Sequence, residues 1–260
     1  MDTEKSLDEI KVIYDRKEEL QKVNQCIISE QWPNTDDTIN VLLLGRSRSG
    51  KTTMIEVLKN PGYISPEGSI FKGTVDPEGF DKIEIINGKR VRFIDTPGLF
   101  ENTKSGEMPR SNDELLKLIK NYLFNKKINR IHRVFITLTV MTGINQNDID
   151  AINFYINNLL QGQVKENIIS FVITHSERIL DIPLKGEQKT GYDKIIDQIK
   201  NDSRLKDVLK KINERVYFSG SLSKSEIAPL KPHIIRINKM RERLLNHIIN
   251  ESQNPINIFC

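Results

Sequence analysis

The chain has 260 residues, of which 37% are hydrophobic and 28% charged, with a formal net charge of +4. That length and balance fit one large globular domain, or one domain with terminal extensions, and the interleaved acids and bases argue for a solvated surface rather than a polyanion-binding face. Its two cysteines, Cys26 and Cys260, lie too far apart for a metal spacing and exclude a disulfide framework.

In chain order, residues 6–27 are expected to form a helix. Ser6 and Glu9 make a capping-box pair ahead of Ile10, Ile13, Leu20, Val23 and Ile27 at helical spacing. A linker brings this N-terminal unit, 1–38, to the run Ile39-Asn-Val-Leu-Leu-Leu-Gly45, which reads as a buried strand. A helix follows from Lys51 to Asn60-Pro61-Gly62. Residues 62–79, rich in Gly, Pro and Ser, read as a long loop, and Asn87-Gly88 turns a hairpin between 81–86 and 90–94. Helices are expected at 112–124 and 147–160, and strands at 133–140, 168–174 and 216–219. Residues 179–213 are expected to be mostly helical, and 234–249 form a final amphipathic helix carrying Ile237, Met240, Leu244 and Ile248. The alternation predicts an α/β fold: a mainly parallel sheet with one antiparallel strand and helices on both faces, which the phosphate-loop motif below narrows to the P-loop NTPase class. The domain is expected to span 39–222, with a C-terminal helical extension at 223–260. Ligands of such sheets bind beyond the carboxyl ends of the strands.

Gly45-Arg46-Ser47-Arg48-Ser49-Gly50-Lys51-Thr52 is a full Walker A sequence between a strand and a helix. A triphosphate needs several backbone N–H groups converging on it, which a glycine-rich turn at a helix N-terminus supplies. Lys51 is expected on the β- and γ-phosphates and Thr52 on Mg²⁺, with Thr53 beside it in the first helical turn. In Phe93-Ile-Asp-Thr-Pro-Gly98, Asp95 ends a strand and is expected near the metal, while Gly98 is free to turn its N–H toward a γ-phosphate. Thr74, in the loop before the hairpin, is the candidate third metal oxygen, with Ser65 and Ser69 as competitors. The metal set is thus Thr52, Thr74 and Asp95.

Beyond the strand at 168–173 lies Thr174-His175-Ser176-Glu177, where most GTPases carry Asn-Lys-x-Asp. Glu177 can accept the guanine N1 and N2 protons, a donor pair that adenine lacks. His175 is placed to lie over the base or touch its edge, or else to cap a helix at the surface. Ser219 and Gly220 follow the next strand and read either as the loop that meets the guanine carbonyl or as a plain turn.

Together these residues resemble the immune-associated nucleotide-binding GTPases, the AIG-type or IAN/GIMAP family of septin-like P-loop GTPases, which has cousins among the chloroplast import receptors. Three features carry the likeness: Asp95-Thr-Pro-Gly-Leu-Phe-Glu101; the box Arg133-Val-Phe-Ile-Thr-Leu-Thr-Val-Met-Thr-Gly143 with Asn147-Asp148; and Thr174-His-Ser-Glu177. It covers about 39–222. The family's Gly-Arg-Phe-Thr is here Gly143-Ile-Asn-Gln146. The resemblance implies GTP or GDP with Mg²⁺ as ligands and a homodimer formed through the G domain, in the cytoplasm. No nucleic-acid partner is expected, and nothing in the sequence supports a membrane anchor, although association through a basic face stays open.

Many small GTPases orient the attacking water with a Gln directly after the second motif, and this chain has Leu99 there. Slow intrinsic hydrolysis is therefore expected. Catalytic help is sought from Arg48, inside the phosphate loop, folding over the phosphates or else facing solvent, from Thr74, and from a second copy. Two other readings are a GTP-binding assembly module without turnover and, with less support, a P-loop ATPase or kinase.

Overall fold

The computed structural model describes residues 38–65, 81–99, 110–162, 168–180, 182–183, 186–223, 230–250 and 255–258. The expected N-terminal helix at 6–27 and the candidate Thr74 lie outside the described residues, as do Ser69 and Glu101.

The first strand, β1 (Ile39–Gly45), is buried along its whole length. It leads through the phosphate loop into α1 (Lys51–Lys59). After the short β2 (Ile64–Ser65) come the hairpin strands β3 (Asp81–Ile86) and β4 (Lys89–Asp95), turned at Asn87-Gly88, both at positive φ. Next are α2 (Asn112–Asn125), β5 (Arg130–Ile131), β6 (Arg133–Thr139), α3 (Gln146–Phe154) and a π-helical turn, Tyr155–Leu159. The chain continues through β7 (Ile169–Thr174), α4 (Gly191–Asn201), α5 (Lys206–Lys211), β8 (Val216–Phe218) and β9 (Leu222–Ser223). It ends in α6 (Leu230–Asn250) and β10 (Ile256–Asn257).

One six-stranded sheet runs in the order β3-β4-β1-β6-β7-β8. Only β3 is antiparallel to its neighbour, as the tight hairpin demands. The period of two along each strand splits the core into two layers. Leu42, Leu44, Ile94, Ile136, Leu138, Phe171 and Ile173 face α2, α3, the π turn and the α4–α5 segment. Val41, Leu43, Val91, Phe93, Phe135 and Val172 face Met54, Ile55 and Leu58 of α1 and Leu244, Leu245, Ile248 and Ile249 of α6. The amphipathic stripe of α6 is thus spent on its own sheet. Arg241 Nε donates to Leu58 O at 2.9 Å, Lys89 Nζ to Ile249 O at 3.0 Å and Arg133 Nε to His247 O at 3.0 Å, which pins the helix there.

Three local departures from the sequence-based expectation have physical causes. The stretch 179–213 is helical only in α4 and α5. Thr190 and Asp193 form a capping box that starts α4 at Gly191, and ahead of it Pro183 and Gly186, at φ 87°, do not propagate a helix. The helix expected over 147–160 widens at Tyr155, where the Leu160 N–H bonds Tyr155 O five residues back at 3.0 Å. Two small pairings had no visible pattern: β2 runs parallel to β9, and β10 is antiparallel to β5.

Candidate functional site

Among the described residues, the elements of the site gather at the carboxyl edge of β1, β4, β6, β7 and β8. After β1 the backbone bends sharply through Gly45 at φ 147°, Arg48 at φ 63° and Gly50 at φ 84°. At Gly50 the positive φ favours glycine, and space is tight too, since a Cβ there would lie 3.1 Å from Thr174 Cβ. Gly50 is also the N-cap of α1, without a side-chain cap and with no acid in the first turn. The partial positive charge of that helix end is therefore not offset locally, and suits an anion.

The buried Lys51 reaches back over the loop, with Nζ 2.9 Å from Arg46 O and 3.4 Å from Gly45 O. Thr52, exposed, donates through Oγ1 to Asp95 Oδ2 at 2.5 Å. That pair joins the start of α1 to the end of β4. It is an all-oxygen donor set of one hydroxyl and one carboxylate, which fits a hard cation that completes its shell with phosphate oxygens. Among the described residues no group of three or more His, Cys, Asp and Glu side chains could hold a metal by itself. Thr53 is half-buried in the same helical turn, and the Arg48 side chain is exposed.

The Asp-Thr-Pro-Gly segment lies directly on the phosphate loop. Leu99 N–H donates to Gly45 O at 3.3 Å and Ser47 N–H to Leu99 O at 3.1 Å. A Cβ on Gly98 would sit 2.0 Å from Ser47 N, so only glycine permits this approach. The Leu99 side chain is fully buried in the core, facing away from any water over the loop.

At the end of β7, Thr174 Oγ1 lies 2.7 Å from Ser49 O and 3.0 Å from Leu138 O, tying the base motif to the phosphate loop. His175 stands at φ 57°, its Nδ1 3.0 Å from Thr139 Oγ1 and 3.3 Å from Thr174 Oγ1. Ser176 N–H donates to Ser219 O at 3.0 Å and Ser219 N–H to Ile173 O at 2.8 Å, which locks the β7 and β8 loops together. Glu177 Oε2 accepts from Ser221 N–H at 3.3 Å, and Arg236 Nη1 of α6 donates to Glu177 O at 2.7 Å. Gly220 packs so tightly that a Cβ there would lie 2.7 Å from Glu177 Oε2. The structure therefore brings Glu177, Ser219 and Gly220 into one corner.

Four further residues brace this edge without having been singled out as site residues in the sequence. Thr137 Oγ1 pairs with Ser49 Oγ at 2.5 Å and donates to Leu44 O at 3.1 Å. Arg46 turns away from the loop mouth: its Nη1 is 3.2 Å from Asn145 Oδ1 and 3.4 Å from Asp148 Oδ1. Asn145 and Asp148 form the capping box of α3, so one pair both starts that helix and holds Arg46. The signal for them was the Asn-x-x-Asp spacing just before the apolar stripe of 149–160. Tyr155, fully buried, donates through its hydroxyl to Gly45 O at 3.2 Å. Replacing Asp148 with Ala removes both the cap and the Arg46 contact. The expected cost is about 1–2 kcal/mol, seen as a fall of a few degrees in the thermal midpoint. An unchanged midpoint would contradict this role.

Comparison with known proteins agrees with this geometry. The model of the family described as 50S ribosome-binding GTPase matches residues 40–175, just over half of the chain. GTPase Der of Thermotoga petrophila (strain ATCC BAA-488 / DSM 13995 / JCM 10881 / RKU-1) and GTPase Der of Thermotoga sp. (strain RQ2) are each 31% identical to it over 121 residues, 46% of this chain and 25% of theirs. The chain thus spans about a quarter of the length of these curated relatives. Among solved structures, Toc33 from Arabidopsis thaliana superposes with a TM-score of 0.51 at 16% identity, over 86% of this chain and 88% of that one. A second Toc33 structure, in complex with GDP and Mg²⁺, gives 0.50 at 15% identity over 92% of both chains. At such identities the likeness is one of fold, a mostly parallel sheet with one antiparallel strand. With the phosphate loop, the Asp-Thr-Pro-Gly segment and the family match in one continuous stretch, the chain belongs to the 50S ribosome-binding GTPase family.

Proposed function

We propose that this protein is a guanine-nucleotide switch of the AIG type, whose slow GTP hydrolysis is stimulated when two copies pair across their nucleotides. The observation that carries the reading is the convergence of Lys51, the uncapped N-terminus of α1 and the Thr52–Asp95 pair on a loop that Thr174, which opens the base motif, holds at Ser49. In this reading the backbone of Gly45, Arg46, Ser47, Arg48, Ser49 and Gly50, with Lys51, Thr52 and Thr53, cradles the phosphates. Glu177, Thr174, His175, Ser219 and Gly220 form the guanine corner, and Gly98 meets the γ-phosphate. Thr52 and Asp95, with Thr74 from the loop before β3, would hold Mg²⁺, which supplies charge neutralisation on the phosphates when bound.

Support for the AIG branch comes from the run 133–143 with Asn147-Asp148, between the second motif and the base corner. Asn145 departs from the family, which has Phe there, and instead caps α3 and holds Arg46. Support for weak turnover comes from Leu99, whose side chain is buried in the core and cannot orient a water. Arg48 is exposed at the loop's left-handed turn, with its guanidinium available to the phosphates of its own site. One Toc33 structure is of a dimerisation-deficient mutant, so that protein pairs. The same arrangement is proposed here. The G domain is proposed to span 39–222, flanked by an N-terminal unit and the α6 extension.

GTP turnover per molecule, measured across a range of protein concentrations, tests this. It is expected to rise with concentration and to fall about tenfold or more in Arg48→Ala. Flat turnover would remove the pairing, and an unaltered Arg48→Ala rate would remove the arginine finger. Turnover indistinguishable from the uncatalysed rate at every concentration would favour the second reading, an assembly module held together by GTP, to which the burial of Leu99 also points.

A further inference from the structure

We infer that Tyr155 is a positioning residue that holds the Gly98–Leu99 segment parked on the phosphate loop and so sets how strongly the protein prefers a triphosphate over a diphosphate. This rests on the guanine-switch reading above. The parked contact consists of the Leu99 N–H to Gly45 O and Ser47 N–H to Leu99 O bonds, with Gly98 pressed against Ser47. For Gly98 to offer its N–H to a γ-phosphate, the segment has to lift and both bonds open. A diphosphate makes no such demand. Tyr155 stands beneath the junction. Its hydroxyl donates to Gly45 O, the acceptor that Leu99 N–H also uses, and lies against the Leu99 backbone and the Thr96 side chain. Thr96 is fixed in turn, donating through Oγ1 to Leu43 O at 2.6 Å. Complete burial pushes the phenol pKa up, so the group stays a neutral donor.

The geometry that delivers this hydroxyl is unusual. Tyr155 opens the π turn, and its own carbonyl accepts from Leu160 N–H. The π turn closes the C-terminal end of α3, and π turns recur at functional sites. The same turn packs against α2, the helix that follows the Asp-Thr-Pro-Gly segment in the chain. One buried side chain thus meets the phosphate loop and the second motif, while its turn meets the helix beyond.

The test compares affinities of the full chain for GDP and for the slowly hydrolysed triphosphate GTPγS, in the parent and in Tyr155→Phe. The variant keeps the ring and its packing and deletes only the hydroxyl. Weakening the parked state raises the GTPγS-to-GDP affinity ratio about three- to tenfold. A purely structural role would lower both affinities together, so an unchanged ratio overturns the inference. If the variant does not fold, amide exchange in the parent decides: the Leu99 amide is expected to be protected with GDP and to exchange faster with GTPγS, and equal protection in both overturns the inference. A parent that binds neither nucleotide overturns the guanine-switch reading and this inference with it. Binding of both with an unmoved ratio overturns this inference alone.

Discussion

Replacing Lys51 with Ala is expected to weaken GTP binding by about 10²–10³-fold, the largest effect of any single substitution in this chain. The Nζ is buried and already aimed inward, held at 2.9 Å by Arg46 O and 3.4 Å by Gly45 O, so little reorganisation separates it from a phosphate. Two charge-assisted hydrogen bonds to phosphate oxygens are together worth roughly 3–6 kcal/mol. Of the other two cations of the loop, Arg46 is turned to Asn145 and Asp148, and Arg48, exposed and proposed above to act on turnover, does not occupy the buried position that Lys51 holds. Without nucleotide the variant loses the carbonyl contacts of Lys51 and should still melt cooperatively, within a few degrees of the parent. Calorimetric titration with GTP and Mg²⁺ checks this. An affinity within threefold of the parent would remove Lys51 from the phosphate site.

Glu177→Gln is expected to lower GTP affinity about 100-fold while leaving a weak ATP affinity unchanged. The carboxylate is kept in the base corner by Ser221 N–H and the close approach of Gly220. Guanine presents two donors, N1–H and the exocyclic amine, and a carboxylate accepts both. An amide accepts one and sets its own N–H against the other, so the loss is that of two charge-assisted hydrogen bonds at a half-buried edge. Xanthine carries a carbonyl where guanine has the amine. The variant is therefore expected to gain affinity for xanthosine triphosphate about tenfold or more as it loses GTP. Equal GTP affinities for parent and variant would show that the acid does not read the base.

The loop and the strand–helix order were legible in the sequence because their chemistry admits few residue types. Gly45, Gly50 and Lys51 are demanded by left-handed backbone and by phosphate charge, and Asn87-Gly88 by the hairpin turn. The braces behind the loop were illegible because they depend on register. Thr137 reaches Ser49 only because β6 pairs Thr137 with Gly45 of β1. Tyr155 reads as one more apolar position until a π turn delivers its hydroxyl to Gly45 O. Arg46 belongs to the Walker A sequence, yet its guanidinium serves α3, a division between backbone and side chain that no spacing reveals. The onset of α4 was hidden in a long polar stretch, where the capping box at Thr190 outweighs the weak propensity before it. Among the described residues no helix is long and apolar enough to cross a membrane.

The measurement that bears most directly on the central claim is competition against a fluorescent GTP analogue bound to the full chain, with unlabelled GTP and ATP in the presence of Mg²⁺. The arrangement of Glu177 against Ser219, Gly220 and Ser221 predicts that GTP displaces the analogue while ATP, at a hundredfold higher concentration, does not. Displacement by ATP and GTP at equal concentrations would contradict the guanine corner and leave only a phosphate site on this fold.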